Sequence, residues 1–161
     1  MKTFKAPWAP LTILATLVFA AFSVAVLWLG YSGEWRWFHF VPLVVFLAAA
    51  AFSVRGYRIT SQAIVVQRLF WNSRVPLRSL LHFDAQPHAM KGSYPLAANP
   101  GVFALAGWFR SASLDTYRAY VTSPRHTVVL VFPRETVVIS PDDPEGFVQE
   151  LSQQKSSTPS A

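Results

Sequence analysis

The 161-residue chain is 52% hydrophobic and 15% aromatic but only 14% charged, against roughly 25% charged in an ordinary soluble domain. This excludes a disordered chain, a collagen-like chain and a charge-rich coiled coil, while the absence of Cys removes disulfides, thiol nucleophiles and thiolate metal sites. The net charge of +6 suits an anionic membrane surface as well as it suits nucleic acid.

No charge occurs between Lys5 and Glu34, and Leu11 to Leu29 is an apolar stretch of 19 residues. At about 1.5 Å of rise per residue it matches a hydrocarbon core of about 30 Å, so it predicts a transmembrane helix. The rival is a cleaved signal peptide, whose apolar core runs about 7–15 residues. Ser23-Val24-Ala25 is a mediocre cleavage site inside more apolar sequence, and the anchor reading is preferred. A second charge-free gap, Trp37 to Val54, predicts a second transmembrane helix, with Pro42 early enough to be tolerated.

The connection Gly30 to Trp37 is short, which makes the two helices antiparallel neighbours. Trp28, Tyr31, Trp35 and Trp37 cluster there, as aromatic rings do at headgroup level, and His39 reads as interfacial. Ala21 with Ala25, and Ala49 with Ser53, have the spacing that permits close helix packing, although alanine enrichment alone explains them equally well. Lys2 and Lys5 precede the first helix and Arg55 and Arg58 follow the second, against Arg36 alone between them. Positive flanks stay cytoplasmic, so both termini are expected there.

From Arg55 the texture becomes short β-branched and aromatic runs broken by Thr60-Ser61-Gln62, Trp71-Asn72-Ser73 and Pro76. Tyr117 to Val121, Val128 to Phe132 and Val137 to Ile139 read as later strands, the last two joined through Pro133-Arg134-Glu135. Such spacing predicts an antiparallel sandwich or barrel. Gln86 to Ser113 is rich in Pro and Gly yet apolar; it predicts a long loop and then a strand near Val102 to Phe109. Asp142 with Glu145 resembles a capping box for a closing helix that buries Phe147, Val148 and Leu151. The expected organisation is therefore a flank over 1–10, a two-helix hairpin over 11–54, a β domain over 55–152 and a disordered tail over 153–161.

The order of motifs resembles a group of small bacterial membrane proteins that carry a pleckstrin-homology-like (PH-like) domain behind two transmembrane helices. The matching pieces are Gly56 to Thr60, Ile64 to Trp71, Val75-Pro76-Leu77, Gly107 to Arg110 and Tyr117 to Leu130. Most specific is Val137 to Glu145 with Phe147, which joins the last strand to the closing helix. The resemblance covers roughly residues 55–152. It implies a bent antiparallel sheet or partly open barrel of about seven strands, closed by the C-terminal helix, at the cytoplasmic face of a bacterial inner membrane. It implies no activity. Relatives that bind phosphoinositides cluster Lys and Arg around the first hairpin, whereas the turn here is Thr60-Ser61-Gln62-Ala63; selective phosphoinositide binding is not expected.

Candidate chemistry is sparse. His82 and Asp84 share a strand face, and with His88 they form the one His/Asp cluster, but no third ligand stands at a metal-site spacing. Ser111, Ser113, Asp115 and His126 lack a nucleophile elbow, and no Gly-rich phosphate loop is present. A non-enzyme without catalytic residue, metal or cofactor is expected; a membrane enzyme using His82 and Asp84 is the weakest alternative. Residues 55–134 carry ten Lys and Arg against Asp84 and Asp115. Arg55, Arg58, Arg68, Arg74 and Arg78 are thus the candidate contacts to anionic lipid, unless they merely solvate strand faces. Nucleic acid is not expected, since no aromatic-basic recognition pattern is present. The primary expectation is an interaction module that recruits a protein partner, or a second copy of itself as a homo-oligomer, through Tyr94, Leu96 and Phe103 in the apolar loop. The runner-up is a module that responds to anionic lipid.

Overall fold

The computed structural model describes residues 2–29 and 36–157; the expected aromatic cluster around Tyr31 and Trp35 lies outside them. The flank is not free but forms strand β1 (Lys2–Lys5), whose Phe4 is buried between exposed Thr3 and Lys5. Helix α1 (Pro10–Leu29) follows, with Pro10 in the first helical position, where a missing N–H costs nothing. Its exterior is Leu11, Leu14, Leu17, Val18, Phe22 and Val24, all exposed.

The expected second span is not one continuous α-helix. A 3-10 turn over Arg36–Phe40 leads into α2 (Val41–Ala51). Pro42 stands in the first turn of α2, so regular α-helical bonding begins only there. Of the described helices, only α1 is long and apolar enough to cross a membrane by itself. The helices do not meet through Ala21 and Ala25, which are exposed; the buried side chains of α1 are Thr12, Thr16 and Ser23. Phe19 stacks on Phe46 of α2, with ring centroids 6.1 Å apart. Thr16 and Ser23 hydroxyls donate to carbonyls one turn back, Thr12 O and Phe19 O, both at 2.8 Å, so neither hydroxyl is left open in an apolar setting.

The remainder is β-rich: β2 (Val54–Ile59), β3 (Ala63–Arg68), β4 (Asn72–Pro76), β5 (His82–Ala85), β6 (Tyr94–Pro100), β7 (Leu105–Ser111), β8 (Asp115–Val121), β9 (Val128–Val131) and β10 (Thr136–Ile139). There are ten strands among the described residues, not about seven, and they form two sheets rather than a barrel. One sheet has the order β1-β2-β3-β4 and the other β5-β9-β10-β8-β7-β6. Nor is the pairing all antiparallel, because β10 runs parallel to β8, with Thr136 opposite Tyr117. The strand count is higher because β1 and β6 were illegible: β1 is short and charged, and β6 carries Pro95 and Pro100. An edge strand tolerates such prolines, and β6 is one.

Alternation puts Tyr57, Ile59, Ile64, Val66 and Val75 of the first sheet against Leu130, Val137 and Ile139 of the second, with Phe147 and Leu151 closing the end. The opposite face of the second sheet packs Phe109, Tyr117, Val129 and Val138 under Met90. Helix α3 (Pro144–Ser157) is capped by Asp143 rather than Asp142: Asp143 Oδ1 accepts from Gly146 N at 2.9 Å. Asp142 instead extends the β1 contact, its N–H donating to Lys5 O and its Oδ1 accepting from Lys5 N. The helix also continues through Gln153 to Ser157, where a disordered tail was expected; Lys155 Nζ holds it by donating to Leu80 O at 3.0 Å.

Between the sheets, Tyr57 is fully buried. Its hydroxyl donates to Tyr120 O at 2.5 Å and accepts from Ser140 N at 3.1 Å. Ser140 Oγ accepts in turn from Thr122 N at 2.8 Å. Burial pushes the Tyr57 phenol up to about 12, partly offset by its hydrogen bonds to Ser140.

Candidate functional site

The β domain is stitched directly onto the helices. Ala9 N donates to Thr122 O at 3.0 Å, Thr12 Oγ1 to the same carbonyl at 3.1 Å, and Phe103 N to Thr16 Oγ1 at 3.0 Å. Phe103 was expected to be a partner contact. It is not free: its ring lies 5.8 Å from Trp8 and 5.0 Å from Phe46. The loop between β6 and β7 therefore runs beside the first turns of α1. Ring-to-ring packing, not solvent, takes up Phe103.

Tyr94 and Leu96 stay about half exposed, at 52% and 53%, on edge strand β6, with Trp108 of β7 also exposed. Gln86 to Ser93, the start of the expected loop, folds as turns under which Met90 is buried, and Ser93 Oγ accepts from Tyr117 OH at 2.6 Å.

The five candidate arginines do not form one surface. Arg58 and Arg74 flank Val65 on the outer face of the first sheet, and Arg55 and Arg78 are also exposed. Arg68 points the other way. It is only 9% exposed, and its Nε has no hydrogen-bond partner among the described residues. Its guanidinium lies 4.9 Å from the Tyr120 ring, 5.4 Å from Phe52 and 5.6 Å from Trp71. Arg118 reaches the same Tyr120 ring at 5.2 Å and Trp108 at 5.9 Å. Burial pushes the Arg68 guanidinium below its ordinary value; Tyr120 opposes the shift and the Arg118 charge adds to it.

Arg68, Arg118, Tyr120, Trp108 and Phe52 line a cavity of about 370 Å³ between the sheets, walled also by Ala98, Asn99 and Gly107, with no acidic residue in its lining among the described residues. Gly107 is needed there. Its φ is +130°, and a Cβ would stand 2.5 Å from Ala97 O and 2.6 Å from Ala98 Cα. Phe52 ends α2, and Trp71 packs edge-on against it at 5.0 Å. Trp71 belongs to the β3–β4 tip Leu69-Phe70-Trp71, in which Phe70 is 74% exposed. The cavity thus opens beside the end of the apolar helix pair. Sequence reasoning named Arg68 but missed Arg118, Tyr120, Trp108 and Phe52. Alternation in Tyr117 to Val121 places Arg118 and Tyr120 on one face, but nothing in sequence joins that face to Arg68.

The residues considered for catalysis are dispersed. His82 and Asp84 are exposed on edge strand β5, and His88 is exposed in the following turn. No group of three or more His, Asp and Glu gathers among the described residues. His126 Nδ1 meets Ser123 Oγ at 3.3 Å, while Asp115 pairs with Arg110 at 3.2 Å. Ser111 Oγ accepts from Leu114 N at 3.1 Å. The Thr60–Ala63 turn is closed by its own Thr60 side chain, with no cation in it.

No curated protein and no solved structure matches the chain. Residues 55–155 match the family model of the bacterial PH domain, the stretch that runs from β2 into α3, and the chain belongs to that family.

Proposed function

We propose that the chain is a non-enzymatic, membrane-anchored PH-like interaction module, held against the cytoplasmic face of the inner membrane and presenting its far edge to a protein partner or to a second copy. The observation that carries this reading is the strand pairing on either side of the helices. Lys2 to Lys5 pair with Gly56 to Ile59 in one sheet, so a chain that leaves through α1 must come back before β2. The described part of that return, Arg36 to Ala51, is about 26 Å long at 3-10 and α-helical rises. That is shorter than a bilayer core of about 30 Å. The domain, however, already covers one side of α1 as far as Thr16, which supports a hairpin seated partly in the domain itself. The Lys and Arg flanks favour the cytoplasmic orientation.

Tyr94 and Leu96 at the β6 edge are side chains that the domain leaves about half uncovered, the chemistry of a protein contact. Reporter fusions at Gly33 and after Ala161 test the topology. A C-terminal fusion active only outside the cytoplasm would refute it. Crosslinking in native membranes, compared between the wild type and a Tyr94→Ser, Leu96→Ser variant, tests the contact.

A further inference from the structure

The Arg68 cavity is not explained by folding. A guanidinium moved out of water loses several kcal/mol of hydration unless partners replace it. Three aromatic rings surround Arg68, and cation–π contacts return only about 0.5–2 kcal/mol each. Among the described residues no carboxylate lines the cavity and Arg68 Nε has no acceptor, while a second cation, Arg118, shares the Tyr120 ring. Two positive groups on one ring, with the Arg68 Nε donor unused, describe a site that is complete only when an anion sits in it.

Shape narrows the anion. The volume of about 370 Å³ lies in the range of small-ligand pockets, about 300–1,000 Å³. Guanidinium forks match the oxygen spacing of phosphate. Trp108 and Tyr120, whose side chains carry an N–H and an O–H, also line the wall. Position narrows it again. The mouth lies where α2 ends at Phe52, beside the exposed tip Leu69-Phe70-Trp71, and exposed aromatic residues at the end of an apolar helix settle at headgroup depth. A phosphodiester could enter here while its acyl chains stay in the bilayer.

We infer that the Arg68–Arg118 cavity binds a phosphate ester, supplied by the headgroup of an anionic phospholipid of the leaflet on which the domain rests. This deepens the proposed function and rests on its membrane anchoring. The site is distinct from the Thr60–Ala63 turn and from the exposed arginines Arg58 and Arg74. Its Arg68 is buried where Arg58 and Arg74 are exposed, so a contact to Arg68 is screened less by salt than contacts to them.

The test uses the full chain, extracted in mild detergent from membranes that contain both phosphatidylcholine and phosphatidylglycerol, with retained lipids counted by native mass spectrometry. The expected result is retention of phosphatidylglycerol over phosphatidylcholine, persisting in high salt. Arg68→Met and Arg118→Gln should each lower it about tenfold, the effect of one charge-assisted contact. Arg118 is exposed, so its variant folds even if the Arg68 variant does not. Arg58→Gln should change nothing. Added glycerol phosphate distinguishes the sources: failure to displace the lipid supports the headgroup, whereas displacement keeps the phosphate site but overturns the lipid source. Equal retention of both lipids, or retention unchanged in the Arg118 variant, overturns the inference outright. Alkaline carbonate washing is run alongside. A chain stripped from the membrane refutes the anchoring and the headgroup source with it; a chain that resists stripping but ignores headgroup refutes this inference alone.

Discussion

Tyr57 and Arg68 are buried polar side chains on neighbouring strands of one sheet, and the chain treats them in opposite ways. Tyr57 OH is surrounded by Tyr120 O, Ser140 N and Ser140 Oγ, so its hydrogen-bonding capacity is met within the protein. Arg68 is given rings and a cavity, and its Nε is left open. A satisfied buried network fixes two sheets together; an unsatisfied one keeps affinity for something outside the chain.

Gly107→Ala breaks the comparison most forcefully, because it strikes the cavity wall and leaves Tyr57 untouched. A Cβ placed 2.5 Å from Ala97 O at a strained φ should cost about 3 kcal/mol or more and pry β6 from β7. Denaturant unfolding of the full chain, with hydrogen exchange concentrated in Tyr94 to Pro100, would show it. A stability within about 0.5 kcal/mol of wild type would mean that the β6–β7 contact yields easily.

Tyr57→Phe comes next. It leaves Ser140 N and Tyr120 O short of a partner in the interior, at a cost of about 1–3 kcal/mol. It also carries a pH signature. The phenol is raised from 10.0 in the open chain to about 12 in the folded one. Its contribution is therefore complete below pH 10 and is lost as pH rises through about 12, about 2–3 kcal/mol over that window. Wild-type stability minus that of the Phe variant, followed from pH 9 to 12, should shrink; a constant difference would remove the buried-phenol account.

Arg68→Met should fall on the other side of the comparison. Removing an incompletely paired buried charge while keeping its volume should leave stability within about 1 kcal/mol or raise it. A loss as large as that of Tyr57→Phe would make Arg68 a structural residue after all. The smallest effect belongs to Tyr94→Ser with Leu96→Ser, about 0.5 kcal/mol each, since both side chains are already about half in solvent. Thermal unfolding checks the stability, and crosslinked partner yield checks the expected loss of contact.

Periodicity made much of this legible. Apolar length marked α1, alternation marked β8, and short β-branched runs marked β3 and β9, because local pattern and tertiary burial agree there. The misses have separate causes. Strand β1 is four residues with three of them polar, and only its pairing with β2 makes it a strand. Pro95 and Pro100 argue against a strand everywhere except an edge, and an edge cannot be known before the sheet order is. Phe103 had the composition of a contact residue and became one, but its partners are Trp8 and Phe46 of the same chain. The cavity lay furthest out of reach, since β3, β6, β7, β8 and the end of α2 each supply part of its wall.

Strand β1 also imposes an order on how the protein can be made. Lys2 to Lys5 leave the ribosome well before the neighbour they need, Gly56 to Ile59, which does not exist until both helices have been synthesised. Strand β1 stays unpaired through that interval, and an unpaired edge invites pairing with other chains. Completion of the four-stranded sheet thus reports that the helical segment has looped back to where it started. A chain whose second helix fails to return keeps a bare strand edge, which marks it for aggregation or removal.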